Sequence, residues 1–355
     1  MKKITQIAYI IFLFFISCTK DENSSPVTKD FVSAVDISQY PEIASSNISF
    51  KDFNGNQKDL LDLLKENGVN TIRLRLWVNP VDEHSGFEEV KQFSQVLKLK
   101  GFKTWLTVHY SDTWADPANQ QMPSQWEGLS YTSLKDSVYN YTKKVVNQIN
   151  PDYIQIGNEI NSGFLHPIGK INNQDNFLDL IKTGCLAVRQ NSSNCKIILH
   201  YAGIQNSDSF FNIVKYVDYD IIGLSYYPIW HGKSITQLKQ KIQELGKNYN
   251  KSILIAETAY PFTLDWNDWT NNVVGQNSQL ILPDYPATNE GQKKFIHDIK
   301  SIMKEAENGI GFCYWGAELI AWKGNQATNA SPWENQAIFD FNNKALPVLS
   351  EFKNE

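Results

Sequence analysis

From residue 31 onward, short apolar runs rich in β-branched residues alternate with longer amphipathic runs. Short apolar runs of this kind are typical of buried strands, and the longer amphipathic runs are typical of helices. The pattern predicts eight strands, at 31–37, 70–78, 103–109, 153–157, 196–201, 221–226, 252–257 and 311–315. It predicts seven helices between them, at 57–67, 88–100, 132–149, 175–191, 207–217, 234–249 and 289–306.

Eight strands separated by helices predict an α/β fold, the single-domain (β/α)8 TIM barrel. An open, doubly wound sheet is the alternative. The count of eight and the lack of a glycine-rich phosphate-binding loop favour the closed barrel. No linker-like segment interrupts residues 31–355, so we expect this range to form one domain.

The first 30 residues read differently from the rest of the chain. Two lysines precede an apolar run at 4–16, which is too short to span a bilayer and has the layout of an export signal. Residues 15–18 resemble a bacterial lipoprotein box with Cys18 as the lipidated residue, and 20–23 resemble an acidic surface-export signal. We expect a signal peptide at 1–17, a flexible tether at 18–30, and an outer-membrane lipoprotein facing the cell surface. The alternative is a cleaved secretory peptide with an incidental cysteine.

Composition excludes some classes of partner and of site. The formal net charge of −5 argues against a nucleic-acid partner. The chain contains 10 Trp and 16 Tyr, whose ring faces can stack on sugars as well as fill a core. Cys185 and Cys195 could form a disulfide or remain two buried thiols. No CxxC motif or Cys/His cluster indicates zinc.

Two glutamates stand at the carboxyl ends of predicted strands, where barrel enzymes carry their chemistry. Glu159 ends the fourth strand and Glu257 ends the seventh, on roughly opposite sides of a barrel mouth. Glycoside hydrolysis needs such a pair, one carboxyl to protonate the leaving oxygen and one to attack the sugar or activate water. Two solvated or salt-bridged surface acids are the alternative.

Other polar and aromatic residues follow the same strand ends. Arg73 and Arg75 lie on one face of an apolar strand, which is costly unless they are paired. One guanidinium could keep Glu257 ionised, although a purely structural ion pair would also explain them. His109 fits a site residue or a satisfied core histidine equally well. The tryptophans favoured as sugar platforms are Trp114, Trp230 and Trp315, whereas Trp105 is expected in the core or facing a helix.

Six stretches of the chain resemble clan A glycoside hydrolases, and more narrowly glycoside hydrolase family 53, the endo-β-1,4-galactanases. They lie at 71–80, 109–117, 155–161, 223–232, 256–260 and 333–337. The Asn-Glu pair at 158–159 is a weak motif by itself, whereas the stretches after strands three and six are far more specific. The resemblance covers about residues 31 to 349, nearly all of the expected mature chain.

The resemblance implies a retaining, double-displacement mechanism on β-1,4-galactan, with Glu159 as acid/base and Glu257 as nucleophile. The implied separation of the two carboxyl groups is about 5 Å. Arg73 and Tyr227 would support the nucleophile, and strand alternation favours Tyr227 over Tyr226 because Tyr227 is in phase with Ser225. Asn158 would bind the sugar 2-hydroxyl in the −1 subsite. The other implied sugar contacts are His109 and Trp315 in the −1 subsite, and Asp112, Trp114, Trp230 and His231 at neighbouring galactose units.

Bacterial members of the family often bind calcium in the loop after strand seven. Here Trp266 and Trp269 interrupt the oxygen ligands of that loop, so we expect no metal and no cofactor. We expect a monomer that meets the membrane only through its lipid anchor. Two other functions stay open: a different clan A endoglycanase, such as a mannanase or cellulase, and a non-catalytic glycan-binding surface lipoprotein.

Overall fold

The eight predicted strands form a closed parallel barrel in the computed structural model of the chain, which describes residues 30–354. Each strand pairs with its neighbours in sequence, and the first strand pairs with the last. The strands are β1 (Val32–Asp36), β2 (Thr71–Leu76), β3 (Lys103–Val108), β4 (Tyr153–Ile156), β5 (Lys196–Ala202), β6 (Ile221–Ser225), β7 (Ser252–Thr258) and β8 (Gly309–Trp315). The predicted TIM barrel is therefore confirmed, and the open sheet is excluded.

All seven predicted helices are present among the described residues, with ends that differ by up to four residues from the predicted ones. Two short helices that were not predicted, Tyr40–Ser45 and Pro228–His231, each have a proline in the first turn and lie in loops after a strand. The helices are α1 (Tyr40–Ser45), α2 (Leu60–Glu66), α3 (Phe87–Leu99), α4 (Tyr131–Ile149), α5 (Gln174–Asn191), α6 (Ser207–Ile213), α7 (Pro228–His231), α8 (Ile235–Tyr249) and α9 (Asn289–Glu305).

The barrel has two apolar cores. The larger core joins the outer faces of the strands to the helices. The smaller contains residues of the strands alone, so it fills the barrel interior. Trp105 belongs to this inner core and is fully buried, which places it inside the barrel and not against a helix. The guanidinium of Arg73 lies 5.4 Å from the Trp105 ring centroid, so the inner core forms the floor beneath the strand ends.

The structure bears on the expectations for the cysteines, and the expectations for the N-terminal segment stay predictions. Cys185 and Cys195 are both buried and carry free thiols, so the structure decides against a disulfide between them. Within residues 30–354, no helix is both long enough and apolar enough to cross a membrane. The predicted signal peptide, Cys18 and all of the tether except Asp30 lie outside the described residues, and these remain predictions.

Candidate active site

A cavity of about 420 Å³ opens at the carboxyl ends of the strands. Ten of the eleven residues proposed from the sequence for catalysis or sugar binding line it. They are Arg73, His109, Trp114, Asn158, Glu159, Tyr227, Trp230, His231, Glu257 and Trp315. Residues from six different strands and their loops therefore meet at one site, as the barrel topology requires.

The two glutamates face each other across this cavity. A carboxylate oxygen of Glu159 and one of Glu257 lie within 4.8 Å of each other. Retaining glycosidases hold their carboxyl groups about 5–5.5 Å apart, whereas inverting enzymes leave room for a water molecule at about 6.5–9.5 Å. The short separation fits a direct attack by one carboxylate on the sugar.

Glu257 is 6% exposed, and both of its carboxylate oxygens are bonded. Arg73 Nη2 donates to its Oε1 at 2.6 Å, and the Tyr227 hydroxyl donates to its Oε2 at 3.1 Å. Arg73 Nη1 also binds Asp36 at 2.6 Å, so one guanidinium joins β1 to β7. Burial raises the pKa of Glu257, and the positive charge of Arg73 and the Tyr227 bond oppose that rise. The Tyr226 hydroxyl points elsewhere, to Gly232 O.

Glu159 stands on a sharp exit from β4. Gly157 and Glu159 both have positive φ, +80° and 46°. A Cβ at Gly157 would lie 2.4 Å from the side chain of Ile160, so only glycine fits this turn. Burial and the negative charge of Glu257 raise the pKa of Glu159 to about 8. At neutral pH the carboxyl therefore holds a proton, as a general acid must.

Asn158 and His109 are held in single orientations. Asn158 Nδ2 donates to Ala115 O at 2.8 Å, and its Oδ1 accepts from Arg73 at 3.0 Å. His109 Nδ1 accepts the backbone N–H of Ala115 at 3.1 Å. Burial and the nearby cations Arg75 and Arg73 hold the pKa of His109 well below its usual value. His109 is therefore neutral, with its proton on Nε2.

Aromatic rings form one wall of the cavity. Trp315 packs on Trp333 with 4.6 Å between ring centroids, and Trp333 lies 6.0 Å from Trp230. Trp114 is 42% exposed and Trp230 is 55% exposed, so both present ring faces to a ligand. Trp333 was not proposed from the sequence as a sugar contact, although it begins the last of the six stretches that carry the family resemblance.

The contacts of Arg75 and Asp112 support neighbouring parts of the fold and do not involve the two glutamates. The Arg75 guanidinium lies 4.0 Å from the centroid of the Trp114 ring and does not touch Glu257. Asp112 is the one proposed residue that does not line the cavity. Its carboxylate accepts from the backbone of Asn79 at 3.0 Å and of Ser124 at 2.8 Å. Its position gives no support to the implied sugar contact, because both oxygens already hold loops together.

A second cavity of about 430 Å³ adjoins the first. The two cavities share six lining residues, including Trp114, Trp315 and Trp333. Trp322 and Lys323 from the segment after β8 line only the second cavity. Together the two cavities form a groove. This groove is longer than a pocket for one sugar and can hold a chain of sugars.

Three polar residues behind Glu159 were not proposed from the sequence as part of the site. Ser225 Oγ donates to Glu159 Oε1 at 2.5 Å, and His200 Nε2 lies 2.9 Å from Ser225 Oγ. Gln155 Nε2 lies 2.9 Å from His200 Nδ1. His200 and Ser225 do stand at strand ends, but serine and histidine occur there for many reasons, and only the folded chain brings them to Glu159.

The cluster of Glu159, His200 and Glu257 has the donor types of a metal site. Its surroundings do not fit one, because Arg73 and Tyr227 already occupy both oxygens of Glu257 with hydrogen-bond donors. A cation there would stand beside the buried guanidinium at a cost in repulsion.

The loop after β7 fits a calcium ion better than its sequence suggested. Trp266 and Trp269 are 49% and 60% exposed, so their rings turn away from the buried side of the loop. Asp268 and Glu334 are 2% and 1% exposed, and each has one carboxylate oxygen without a hydrogen-bond partner. Asn272 adds a third buried oxygen of this kind. Carboxylate and amide oxygens are the ligands that calcium takes.

Comparisons with known proteins agree with this geometry. Residues 32–352 match the model of glycosyl hydrolase family 53. An uncharacterised protein of Niallia circulans is 38% identical, covering 91% of this chain and 93% of that protein. An arabinogalactan endo-β-1,4-galactanase of Cellvibrio japonicus is 33% identical, covering 99% and 97%. The structure of an Ignisphaera aggregans GH53 catalytic domain has a TM-score of 0.87 and 39% identity, covering 92% and 97%. The resemblance is confirmed, and the chain belongs to glycosyl hydrolase family 53.

Proposed function

We propose that this chain is a retaining endo-β-1,4-galactanase that cleaves galactan or arabinogalactan. The observation that carries the proposal is the Glu159–Glu257 pair, with oxygens within 4.8 Å, in a chain of family 53. The name of the Cellvibrio japonicus relative supports galactan as the substrate class.

The reaction proceeds in two displacements. Glu257 attacks the anomeric carbon while Glu159 gives its proton to the leaving glycosidic oxygen, which forms a galactosyl ester on Glu257 and releases the aglycone sugar. Glu159, now ionised, takes a proton from water, and the resulting hydroxide attacks the same carbon. The ester bond breaks, Glu257 is restored as a carboxylate, Glu159 is protonated again, and the sugar keeps its β configuration.

The surrounding residues assist each step. Arg73 and Tyr227 orient the attacking carboxylate and stabilise its charge. Asn158 offers an amide group to the sugar 2-hydroxyl, a contact that strengthens in the transition state. His109 offers Nε2–H to another sugar oxygen, and Trp315 packs against the ring of the same sugar.

The groove supports cleavage within a polymer. Trp114, Trp230 and His231 line the same cavity as the catalytic pair and are the proposed contacts for neighbouring galactose units. The reaction uses no cofactor. A calcium ion held by Asp268, Asn272 and Glu334 would link the loops after β7 and β8 and supply no chemistry to the reaction.

Product analysis on linear β-1,4-galactan tests the proposal. We expect galactooligosaccharides of intermediate length early in the reaction, with a β-anomeric proton seen first by NMR. Cleavage of mannan or cellulose in place of galactan would assign the chain to another endoglycanase activity. An α-anomer as the first product would overturn the retaining mechanism.

Glu257→Gln separates an enzyme from a glycan-binding protein. We expect this variant to lose turnover and to keep its affinity for galactan, measured by calorimetry, because the amide has the shape of the carboxylate. Wild-type protein that binds galactan without releasing products would favour the non-catalytic lipoprotein.

We propose that the chain is exported and anchored in the outer membrane through Cys18, facing the cell surface. Labelled palmitate should enter the wild-type chain and be absent from Cys18→Ala. Removal of the protein from intact cells by an external protease would support surface exposure. Light scattering on the protein without its lipid should give the mass of a single chain.

A further inference from the structure

We infer that Gln155, His200 and Ser225 form a hydrogen-bond relay that keeps Glu159 Oε1 as an acceptor and places the transferable proton on Oε2. The inference deepens the proposed function and depends on it, because it assigns the geometry of the acid/base group. All three residues act through Glu159 and are positioning residues.

The relay begins at the Gln155 amide, which is fully buried. Its Nε2 lies 3.1 Å from Gly157 O and 3.0 Å from Asn158 Oδ1, which are both acceptors. If the amide were flipped, its oxygen would face these two oxygens. The NH2 group must therefore occupy this position, and from there it also points at His200 Nδ1, 2.9 Å away.

This contact determines the tautomer of His200. The backbone N–H of Glu159 approaches the same Nδ1 at 3.4 Å, so two N–H groups point at this nitrogen. Nδ1 also lies 3.2 Å from Asn158 Oδ1, but that oxygen already accepts from Arg73 and from Gln155, each at 3.0 Å. Nδ1 must therefore carry a lone pair, and the ring proton must lie on Nε2. Burial and the positive charge of Arg73 hold the pKa of His200 well below its usual value, which excludes the doubly protonated ring.

The tautomer in turn directs the hydroxyl of Ser225. His200 Nε2–H donates to Ser225 Oγ at 2.9 Å, so the serine hydrogen cannot point back at the ring. It points at Glu159 Oε1 at 2.5 Å. An oxygen that already accepts this bond is a poor place for the acid proton, which therefore lies on Oε2 whenever Glu159 is protonated.

The relay has two consequences for catalysis. It presents the proton from a fixed oxygen in the first step, which a loosely held carboxyl would do only part of the time. It also stabilises ionised Glu159 in the second step, because Ser225 donates to the charged form. Loss of the Ser225 hydroxyl should therefore reduce kcat and move the basic limb of the pH profile upwards.

Ser225→Ala tests the inference, with Ser207→Ala as the matched control. Ser207 is also a fully buried serine, but its hydroxyl donates to Ile204 O, outside the cavity. For Ser225→Ala we expect the basic limb of kcat/KM on galactan to rise by about 0.5 unit or more. We expect kcat to fall about 10-fold or more, with a smaller fall on an aryl galactobioside whose leaving group needs little protonation. Ser207→Ala should keep the wild-type profile.

A pair of substitutions at His200 tests the same relay if Ser225→Ala does not fold. The side chain of His200→Gln can reach Ser225 with an amide N–H, whereas that of His200→Asn is too short to do so. We expect His200→Gln to keep more activity on galactan and a pH profile closer to wild type than His200→Asn. In the wild-type protein, nitrogen NMR should report the Nε2–H tautomer of His200.

The outcomes separate this inference from the proposed function. A wild-type chain that hydrolyses no galactan would contradict the function itself. An active wild-type chain would overturn the relay alone if Ser225→Ala keeps the wild-type pH profile, if its losses on galactan and on the aryl substrate are equal, or if His200 carries its proton on Nδ1.

Discussion

The two catalytic glutamates differ in the hydrogen-bond donors that contact their carboxyl groups. Glu257 has a donor on each oxygen, including the guanidinium of Arg73, whereas Ser225 is the one side-chain donor to Glu159 among residues 30–354. Glu257 is buried and Glu159 is half-buried, and removal from water penalises the charged form of each. The arginine is therefore what separates a carboxylate that attacks from a carboxyl that gives a proton.

The raised pKa of Glu159 makes stability depend on pH. A carboxyl whose pKa is raised by folding, here to about 8, stabilises the protein while protonated. That contribution is lost as pH rises through the folded pKa. We expect Glu159→Gln to raise the Tm relative to wild type near pH 9 and to change it much less near pH 5, measured by scanning fluorimetry. The exposed Glu127→Gln should show no such difference, and an equal shift at both pH values would contradict the linkage.

Arg73 and Arg75 provide a second test at this scale. Arg73→Lys keeps the charge but loses the geometry that joins Asp36 to Glu257. We expect kcat to fall about 10²–10³-fold, by analogy with loss of one charge-stabilising donor. Arg75→Lys, which weakens the support under Trp114, should raise KM with a smaller effect on kcat. Equal effects on kcat would remove the distinction between the two arginines.

Some residues of the site could be predicted from the sequence, and others could not. Glu159 and Glu257 could be proposed because each stands at a strand end, and parallel strands all end at one mouth. Arg73 could be proposed because a guanidinium within an apolar strand needs a charged partner. The role of Tyr227 came from the family resemblance, and strand alternation only favoured it over Tyr226. His200 and Ser225 were visible at strand ends, but their importance lies in tautomers and bond directions, which a sequence does not contain.

At the scale of elements, the strands and main helices were predictable because their apolar periodicity is strong. The helices α1 and α7 are too short to show a period. The register shift between β6 and β7, which pairs Ser225 with Glu257, depends on tertiary packing and leaves no mark in the sequence. It places Ser225, the last residue of the relay, level with Glu257.

The loop after β7 carries a prediction of this scale. The carboxylates of Asp268 and Glu334 repel each other when both are ionised, and Asp268 raises the pKa of Glu334 in addition to the effect of burial. A divalent cation would remove the repulsion. We expect calcium to raise the wild-type Tm and a chelator to lower it, with no response from Asp268→Asn. If neither calcium nor a chelator changes the wild-type Tm, the expectation from the sequence that this loop binds no metal would stand.

At the scale of the whole molecule, two adjoining cavities decide what the enzyme can hold. Trp322 lines only the second cavity and lies away from Glu159 and Glu257. We expect Trp322→Phe, which keeps most of the packing of this largely buried ring, to raise KM for long galactan and to leave short oligosaccharides nearly unaffected, because the lost contact is available only to distant sugars. Steady-state kinetics on substrates of defined length measure this, and an equal effect on all lengths would contradict it.

The two strands that close the barrel, β1 and β8, both contribute residues to the site. β1 pairs with β8, and Asp36 is in register with Trp315. Asp36 anchors Arg73, and Trp315 lines the cavity, so the first and last strands both contribute to the surroundings of the nucleophile. A nascent chain that already contains both glutamates still lacks this wall until its final strand has been made. Synthesis of the chain therefore delivers catalytic competence in its last stage, when the two ends of the barrel meet.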